Sequence, residues 1–299
     1  MLRETASPNQ KFAVAISLGE MTSTNMLFTL AAFKKLIQPY FSNENYMEFD
    51  EFSSYGFDAK FAALWAETYK KMVPLFTQFG AGWINSIEYD RNINMANLTE
   101  QQKETLVQKR FYTLFCKEVS KNFGIHFDPS YEEFYTAWCA MSRVTPNNAQ
   151  DIAKLQSLSQ VMLFPHSNTN PSHYAHISAQ LKNEGVELEQ HNLFLSYKTG
   201  KQGPELLNHV HSSMKNTKEV KACIFIIGDA KQVSDPIVQK IIHDRMQEIE
   251  SYVSYTGDYY FVRKKSEDPS CSVFIEKCIT LVEKELQEKQ KQKQTVEFN

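Results

Sequence analysis

The stretch Val161–Ile177 reads VMLFPHSNTNPSHYAHI, and the rest of the chain is organised around it. An apolar run, Val161 to Phe164, stops at a small polar knot, Ser167-Asn168-Thr169-Asn170, and Pro171 then opens a segment with helical spacing. That is the pattern of a buried strand feeding a loop and then a helix. Pro suits the first helical turn, where its missing N–H would have had no partner in any case. In open α/β sheets ligands sit outside the carboxyl ends of the strands, so a polar knot at this point is a candidate site. An ordinary loop, in which Ser, Asn and Thr only cap a helix, accounts for the same residues. Pro165 before His166 is unusual, since it constrains Phe164 and ends ladder donation there.

Working back towards the start, Phe12–Ile16 (FAVAI) is a short apolar strand closed by Ser17-Leu18-Gly19-Glu20. Residues 24–38 then carry helical spacing, and 40–150 continue as amphipathic helices with aromatic faces and almost no strand signal. These are a segment over Phe57–Phe79 interrupted by Pro74, a long run to Phe123 capped by Thr99, Tyr131–Ser142, and Asn147–Leu158. Aromatic residues at this spacing read as core. Beyond the central stretch, the helix closes at Gly185, Leu193–Leu195 is a short strand, and Pro204–Met214 is a helix. Ala222–Ile227 (ACIFII) is a buried strand ending at Gly228-Asp229. Asp235–Val253 reads as a helix, Tyr259–Val262 as the last strand, and Ser272–Gln287 as a final helix with a solvated Lys/Gln/Glu end.

Composition narrows the function classes. The 299 residues are 42% hydrophobic, with 21 Phe and 14 Tyr against 10 Gly and 10 Pro, which favours long helices around a large core. A net charge of −3 gives no electrostatic case for nucleic acid. Five scattered cysteines without a CxxC pair speak against a disulfide framework or a zinc module and suit a reducing compartment. No run approaches a membrane span, and the N-terminal region does not read as a secretory signal, so a cytoplasmic protein without a transmembrane segment is expected. A metal site from His173 and His176, three apart beyond His166, lacks a third ligand at a recognisable spacing.

The element order is thus a strand, a large all-helical insertion, and then β-α-β-α-β-α-β-α, which implies an α/β fold around a parallel sheet. In that order the residues resemble the haloacid dehalogenase-like (HAD) hydrolase superfamily, in its branch with a helical cap after the first strand. Phe12–Met21 (FAVAISLGEM) falls where the family has its first motif, and Phe134–Met141 (FYTAWCAM) resembles its Phe-x-x-x-Trp segment. SNTNPSH at Ser167–His173 is close to the second motif. LFLSYKTG at Leu193–Gly200 resembles the approach to the third, and IFIIGDAKQV at Ile224–Val233 lies where the acidic fourth sits. The resemblance implies a doubly wound, Rossmann-like core over 1–22 and 145–299, with a helical cap domain over 23–144.

For function, the resemblance implies displacement at phosphorus or carbon by a carboxylate nucleophile, with Mg²⁺ in the phosphatases and a Ser/Thr and a Lys steadying phosphoryl oxygens. Mapped onto this chain, the nucleophile position is Ser17, the acid/base position is Gly19, and the fourth motif reads Gly228-Asp229, leaving Asp229 as the expected catalytic and metal-binding carboxylate. Ser167, Asn168 and Lys201 would hold phosphate, with Lys198 the alternative to Lys201. A hydroxyl without a base is a far weaker nucleophile than a carboxylate. Glu20, read on an extended chain, would point elsewhere as a solvated loop carboxylate.

The expectation is therefore a catalytically impaired pseudo-phosphatase that binds a small phosphorylated ligand or a protein partner. No cofactor is expected, unless Mg²⁺ in an active protein. An active phosphatase or hydrolase with altered catalytic residues is the alternative. A third reading has the aromatic cap and the terminal helix docking a protein.

Overall fold

A computed structural model describes residues 10–24, 26–41, 63, 65–68, 70, 97–228, 230–245, 252–263 and 270–297. Most of the helix expected over Phe57–Phe79, and Asp229 itself, lie outside the described residues.

The centre of the molecule is β1 (Lys11–Ser17), whose run from Phe12 to Ile16 is wholly buried. Such a strand has no solvated face, so it needs strands on both edges and helices on both faces. Both edges are supplied in parallel: β4 (Val161–Ser167) pairs Phe12 with Val161 through Ser17 with His166, and β6 (Val220–Ile227) pairs Phe12 with Ala222 through Ile16 with Ile226. The sheet is completed by β5 (Phe194–Leu195) outside β4 and by β8 (Asp258–Val262) and β7 (Tyr252–Tyr255) outside β6, in the order β5-β4-β1-β6-β8-β7. Every pairing is parallel except the last, β7 with β8.

Alternation along the strands sorts the core into two layers. Phe12, Val14 and Ile16 join Ala222, Ile224 and Ile226 under α5 (Pro146–Ser157), α6 (Pro171–Asn183) and α10 (Cys271–Glu297). Ala13 and Ala15, with Phe164, Cys223 and Phe225, face α8 (Gly203–Lys215) and α9 (Pro236–Arg245). Helices on both faces make the fold a doubly wound α/β sheet.

Between β1 and α5 the chain makes one turn of helix, α1 (Leu18–Met21), and leaves the sheet through β2 (Ser23–Thr24). It returns through β3 (Ser142–Arg143), which pairs antiparallel with β2, so the outgoing and incoming chains are tied as a two-stranded ribbon. The described residues between them form α2 (Met26–Ile37), α3 (Glu100–Phe123) and α4 (Tyr131–Cys139) around their own aromatic core of Phe33, Phe111, Phe115, Phe134 and Trp138. Phe33 and Phe115 stack at 4.9 Å between centroids, and Phe134 meets Phe115 edge-on at 5.1 Å. Helices α3, α4 and α5 each open with a reciprocal capping box: Thr99 with Gln102, Ser130 with Glu133, and Thr145 with Asn148.

One expectation needs correction. Of the helix read over Asp235–Val253, Pro236–Arg245 is helical, but Tyr252–Tyr255 is a strand. Its two-residue turn places Thr256 and Gly257 at φ 48° and 87°, the left-handed pair that matches a hairpin's twist. Aromatic and apolar spacing alone reads as helix or strand with equal ease over so short a stretch, and pairing with β8 decided it. β4 continues through Pro165 to Ser167, although Pro165 has no N–H to donate. Neighbouring β5 joins only at His166 and Ser167, so Pro165 interrupts no ladder on that side.

Asp258, at the start of β8, is a carboxylate almost entirely removed from water, with His211 Nε2 at 3.0 Å and Lys215 Nζ at 3.3 Å. Both partners come from α8 and remain partly exposed, so the pair ties that helix to the sheet edge. Removing both partners would strand the buried carboxylate. We expect H211A/K215A to lose about 3 kcal/mol in urea unfolding, and the added D258N substitution to restore a large part of it.

Candidate functional site

The register of the central strands gathers three loops at one edge. Ser17 ends β1, Ser167 lies one residue beyond Ser17's partner on β4, and Gly228 follows β6 directly. This is the carboxyl edge of the parallel sheet, where the ends of strands leave backbone and side chains unshielded by the ladder.

Ser17 is committed to local structure. Its Oγ accepts the Gly19 N–H at 3.2 Å and serves as the N-cap of α1. Gly19 is not required by space: a Cβ there would stand 3.4 Å from Ser17 Oγ, an ordinary contact. Across the edge the Ser167 hydroxyl is half-buried and has no hydrogen-bond partner among the described residues. Asn168 is exposed, and its Oδ1 accepts the Gly203 N–H at 2.9 Å, joining the loop after β4 to the start of α8. Deeper in, the buried Ser196 hydroxyl donates to the Thr169 carbonyl at 2.9 Å and accepts the Thr169 N–H at 3.0 Å, holding the polar knot open as a rigid turn. Sequence reasoning missed Ser196; a Ser directly after a short buried strand was the available signal.

The two lysines go different ways. Lys201 is exposed, with Nζ 3.4 Å from His209 Nδ1 on α8. Lys198, in α7 (Ser196–Thr199), sits 3.9 Å from Glu104 on α3 and near the rings of Tyr174 and Tyr197 at 5.9 and 5.8 Å. Burial, followed by Glu104, raises the Tyr197 hydroxyl above its ordinary range. Lys198 therefore faces the inserted helices, and Lys201 lies beside α8, the helix that follows it.

Glu20 corrects the reading made of it. Residues 18–21 form a helical turn rather than an extended chain, and this carries Glu20 sideways over the end of β6. Its Oε1 lies 3.1 Å from where a Gly228 Cβ would stand. A side chain at 228 would press on the end of the Glu20 carboxylate, which would have to give by a few tenths of an ångström. Arg263, directly after β8, completes the arrangement. Its N–H donates to the Ile227 carbonyl at 3.0 Å, and its Nη1 donates to the Glu20 carbonyl at 2.9 Å and lies 3.4 Å from Oε2. The guanidinium side chain is 7% exposed and the carboxylate 15%, so this ion pair is largely withdrawn from solvent. Arg263 had no sequence signal, because nothing in its surroundings distinguishes it from a strand-end arginine.

The histidines beside the knot do structural work. His173 Nε2 lies 2.9 Å from the Trp138 carbonyl, which can only accept, so Nε2 carries the proton. Nδ1 then accepts from Asn170 Nδ2 at 3.2 Å, while Asn170 Oδ1 accepts the His173 N–H at 2.9 Å and caps α6. Trp138 stacks on the same ring at 4.9 Å, and Tyr135 OH donates to the Ser172 carbonyl at 3.1 Å. Both ring nitrogens of His173 are thereby occupied, Nε2 fastening α4 to α6 and Nδ1 bracing the cap of α6. No group of three or more His, Cys, Asp and Glu suited to a metal ion occurs among the described residues. The five cysteines are buried and none is in a disulfide, and burial pushes the Cys139 thiol up to about 12. No helix among the described residues is long and apolar enough to cross a membrane.

No family model matches the chain, and no curated protein sequence matches it. Among solved structures the chain is similar to a HAD family enzyme from Bacteroides thetaiotaomicron, solved in complex with magnesium and inorganic phosphate. The two share 16% identity over 87% of this chain and 98% of that one, with a TM-score of 0.48. It is also similar to a predicted HAD-like family hydrolase from Porphyromonas gingivalis, at 15% identity over 87% of this chain and 94% of that one, with a TM-score of 0.44.

Burial lowers both His166 and His173 from 6.5 to about 4. As pH falls below 6.5 the unfolded chain takes up protons that the folded chain refuses, so these groups contribute full stability above 6.5 and lose it towards pH 4. Each accounts for about 3 kcal/mol across that window. H173Q is expected to be less stable at pH 7, yet to lose less stability than the wild type between pH 6.5 and 4 in urea titrations.

Proposed function

We propose that the chain is a HAD-like hydrolase-fold protein that binds a small phosphorylated ligand at the carboxyl edge of its sheet with little or no turnover. In this reading residues 1–22 and 145–299 form the core and 23–144 the cap over the site. The doubly wound sheet, the helical insertion directly after β1 and the order of the motif segments support the assignment. The impaired chemistry rests on one observation above all: the residue at the tip of β1 is a serine whose oxygen accepts a backbone N–H as a helix cap. Among the described residues no histidine or lysine stands against it as a base, and an unassisted hydroxyl is a poor nucleophile at neutral pH.

The Mg²⁺ that such a phosphatase uses does not fit the described donors. A hard divalent ion calls for several oxygen ligands with carboxylates among them. Here Ser17 supplies a neutral hydroxyl, and the Glu20 carboxylate is already paired with a guanidinium. A unit positive charge and a divalent ion about 5 Å apart repel by about 7 kcal/mol at an effective dielectric of about 20. One carboxylate offsets that only in part. Ser167, with a free hydroxyl, and Asn168 and Lys201 on the adjoining loops are proposed as the groups that meet phosphoryl oxygens.

A working hydrolase built on altered residues is the second reading. Its specific support is Glu20, a carboxylate within the crevice that could handle a proton if Arg263 moved away.

Hydrolysis of p-nitrophenyl phosphate with Mg²⁺, tested on the wild type and on S17A, separates the two. The pseudoenzyme predicts no turnover above background in either, together with a rise in melting temperature on adding inorganic phosphate. An ordinary enzymatic kcat/KM that vanishes in S17A establishes the hydrolase instead.

A further inference from the structure

We propose that Ser196 is a positioning residue for this site. Without touching a ligand, its hydroxyl holds the loop after β4 so that the Ser167 hydroxyl is presented to a phosphoryl-type oxygen. The inference rests on reading Ser167 as a phosphate-binding group, and it adds the residue that sets how firmly that group is held.

The ladder between β4 and β5 is only two pairs long, His166 with Phe194 and Ser167 with Leu195. Beyond these pairs the chains part, β4 leading to α6 and β5 directly into α7. Ser196, the next residue after β5, takes up the pairing with its side chain. Its Oγ donates to the Thr169 carbonyl at 2.9 Å and accepts the Thr169 N–H at 3.0 Å, so one hydroxyl serves both backbone groups of that residue. Ser167 therefore lies between two fastenings, a backbone ladder at its own position and a side-chain clamp two residues on. The residues that follow it are engaged in the fold as well: Asn168 Oδ1 accepts the Gly203 N–H and Asn170 Oδ1 the His173 N–H. The Ser167 hydroxyl is different, having no partner among the described residues. A group held in place before its ligand arrives avoids the entropy of being ordered on binding, which raises affinity. Ser196 itself is 0% exposed and out of reach of a ligand in the crevice, so it acts through Thr169 rather than by contact. Loss of its hydroxyl removes two bonds from the buried Thr169 and releases the loop on the far side of Ser167.

The test is calorimetric titration of inorganic phosphate, in EDTA, into wild type, S196A, S167A and S167A/S196A. The wild type is expected to bind, and S196A to bind about tenfold more weakly, the worth of one hydrogen bond. Because Ser196 acts by holding Ser167, adding S196A to S167A should cost less than about twofold more. V282A, which truncates a buried residue of α10, is expected to lower the melting temperature and leave the phosphate Kd unchanged. That control separates a loss of positioning from a loss of stability. An S196A protein that binds as tightly as the wild type overturns the proposal and leaves the ligand-binding reading standing. So does a full tenfold loss added on top of S167A, or an equal loss in V282A. A wild type that binds no phosphate overturns both. Should S196A fail to fold, S196C takes its place with the same expected loss, since a thiol is a weak donor and acceptor.

Discussion

Everything at the candidate site depends on the two parallel ladders that hold β1 between β4 and β6. Side chains alternate across a sheet, so shifting either ladder by one residue would turn its apolar set onto the wrong layer. The register is pinned from both faces: Phe12, Val14 and Ile16 belong to one core, Ala13 and Ala15 to the other. With the register set, the ends of the strands are set as well. Ser17, Ser167 and Gly228 come to one edge as a consequence of packing far below them.

Above that edge the inserted helices are fastened through polar groups rather than a continued apolar core. The ring of His173 bonds to a carbonyl of α4 on one side and an amide of α6 on the other, and Tyr135 reaches the backbone of α6 nearby. Lys198 and Tyr197 face Glu104 on α3 in the same way. The β2–β3 ribbon ties the two crossings of the chain together. The aromatic residues of α2, α3 and α4 mostly satisfy one another. That is why a region so rich in Phe, Tyr and Trp leaves little apolar surface for a partner among its described residues.

Glu20 and Gly228 show how residues distant in sequence become neighbours in space. The turn after β1 brings the Glu20 carboxylate to the end of β6, 3.1 Å from where a Cβ at 228 would stand. Arg263, at the end of β8, then neutralises the carboxylate. A buried pair of this kind is weak support for stability, since desolvation offsets most of the attraction. Its consequence is electrostatic: the crevice carries an ion pair and a hydroxyl.

Buried strands with alternating partners, capped helices and the polar knot at Ser167–Asn170 were legible in the sequence, because each is written in a run of neighbouring residues. Thr99 with Gln102 is such a local signal, and so are the five apolar residues before Ser17. The strand at Tyr252–Tyr255 was not legible, since its four residues acquire a strand's identity only from pairing with β8. Nor was the place of Glu20, which depends on one turn of helix and on an arginine partner more than two hundred residues away. By itself the sequence determined which residues end the strands of a doubly wound sheet. Only the tertiary structure decided which charges meet there, because electrostatic partners are chosen by distance in space, and the chain brings Glu20, Gly228 and Arg263 together only when the sheet has closed.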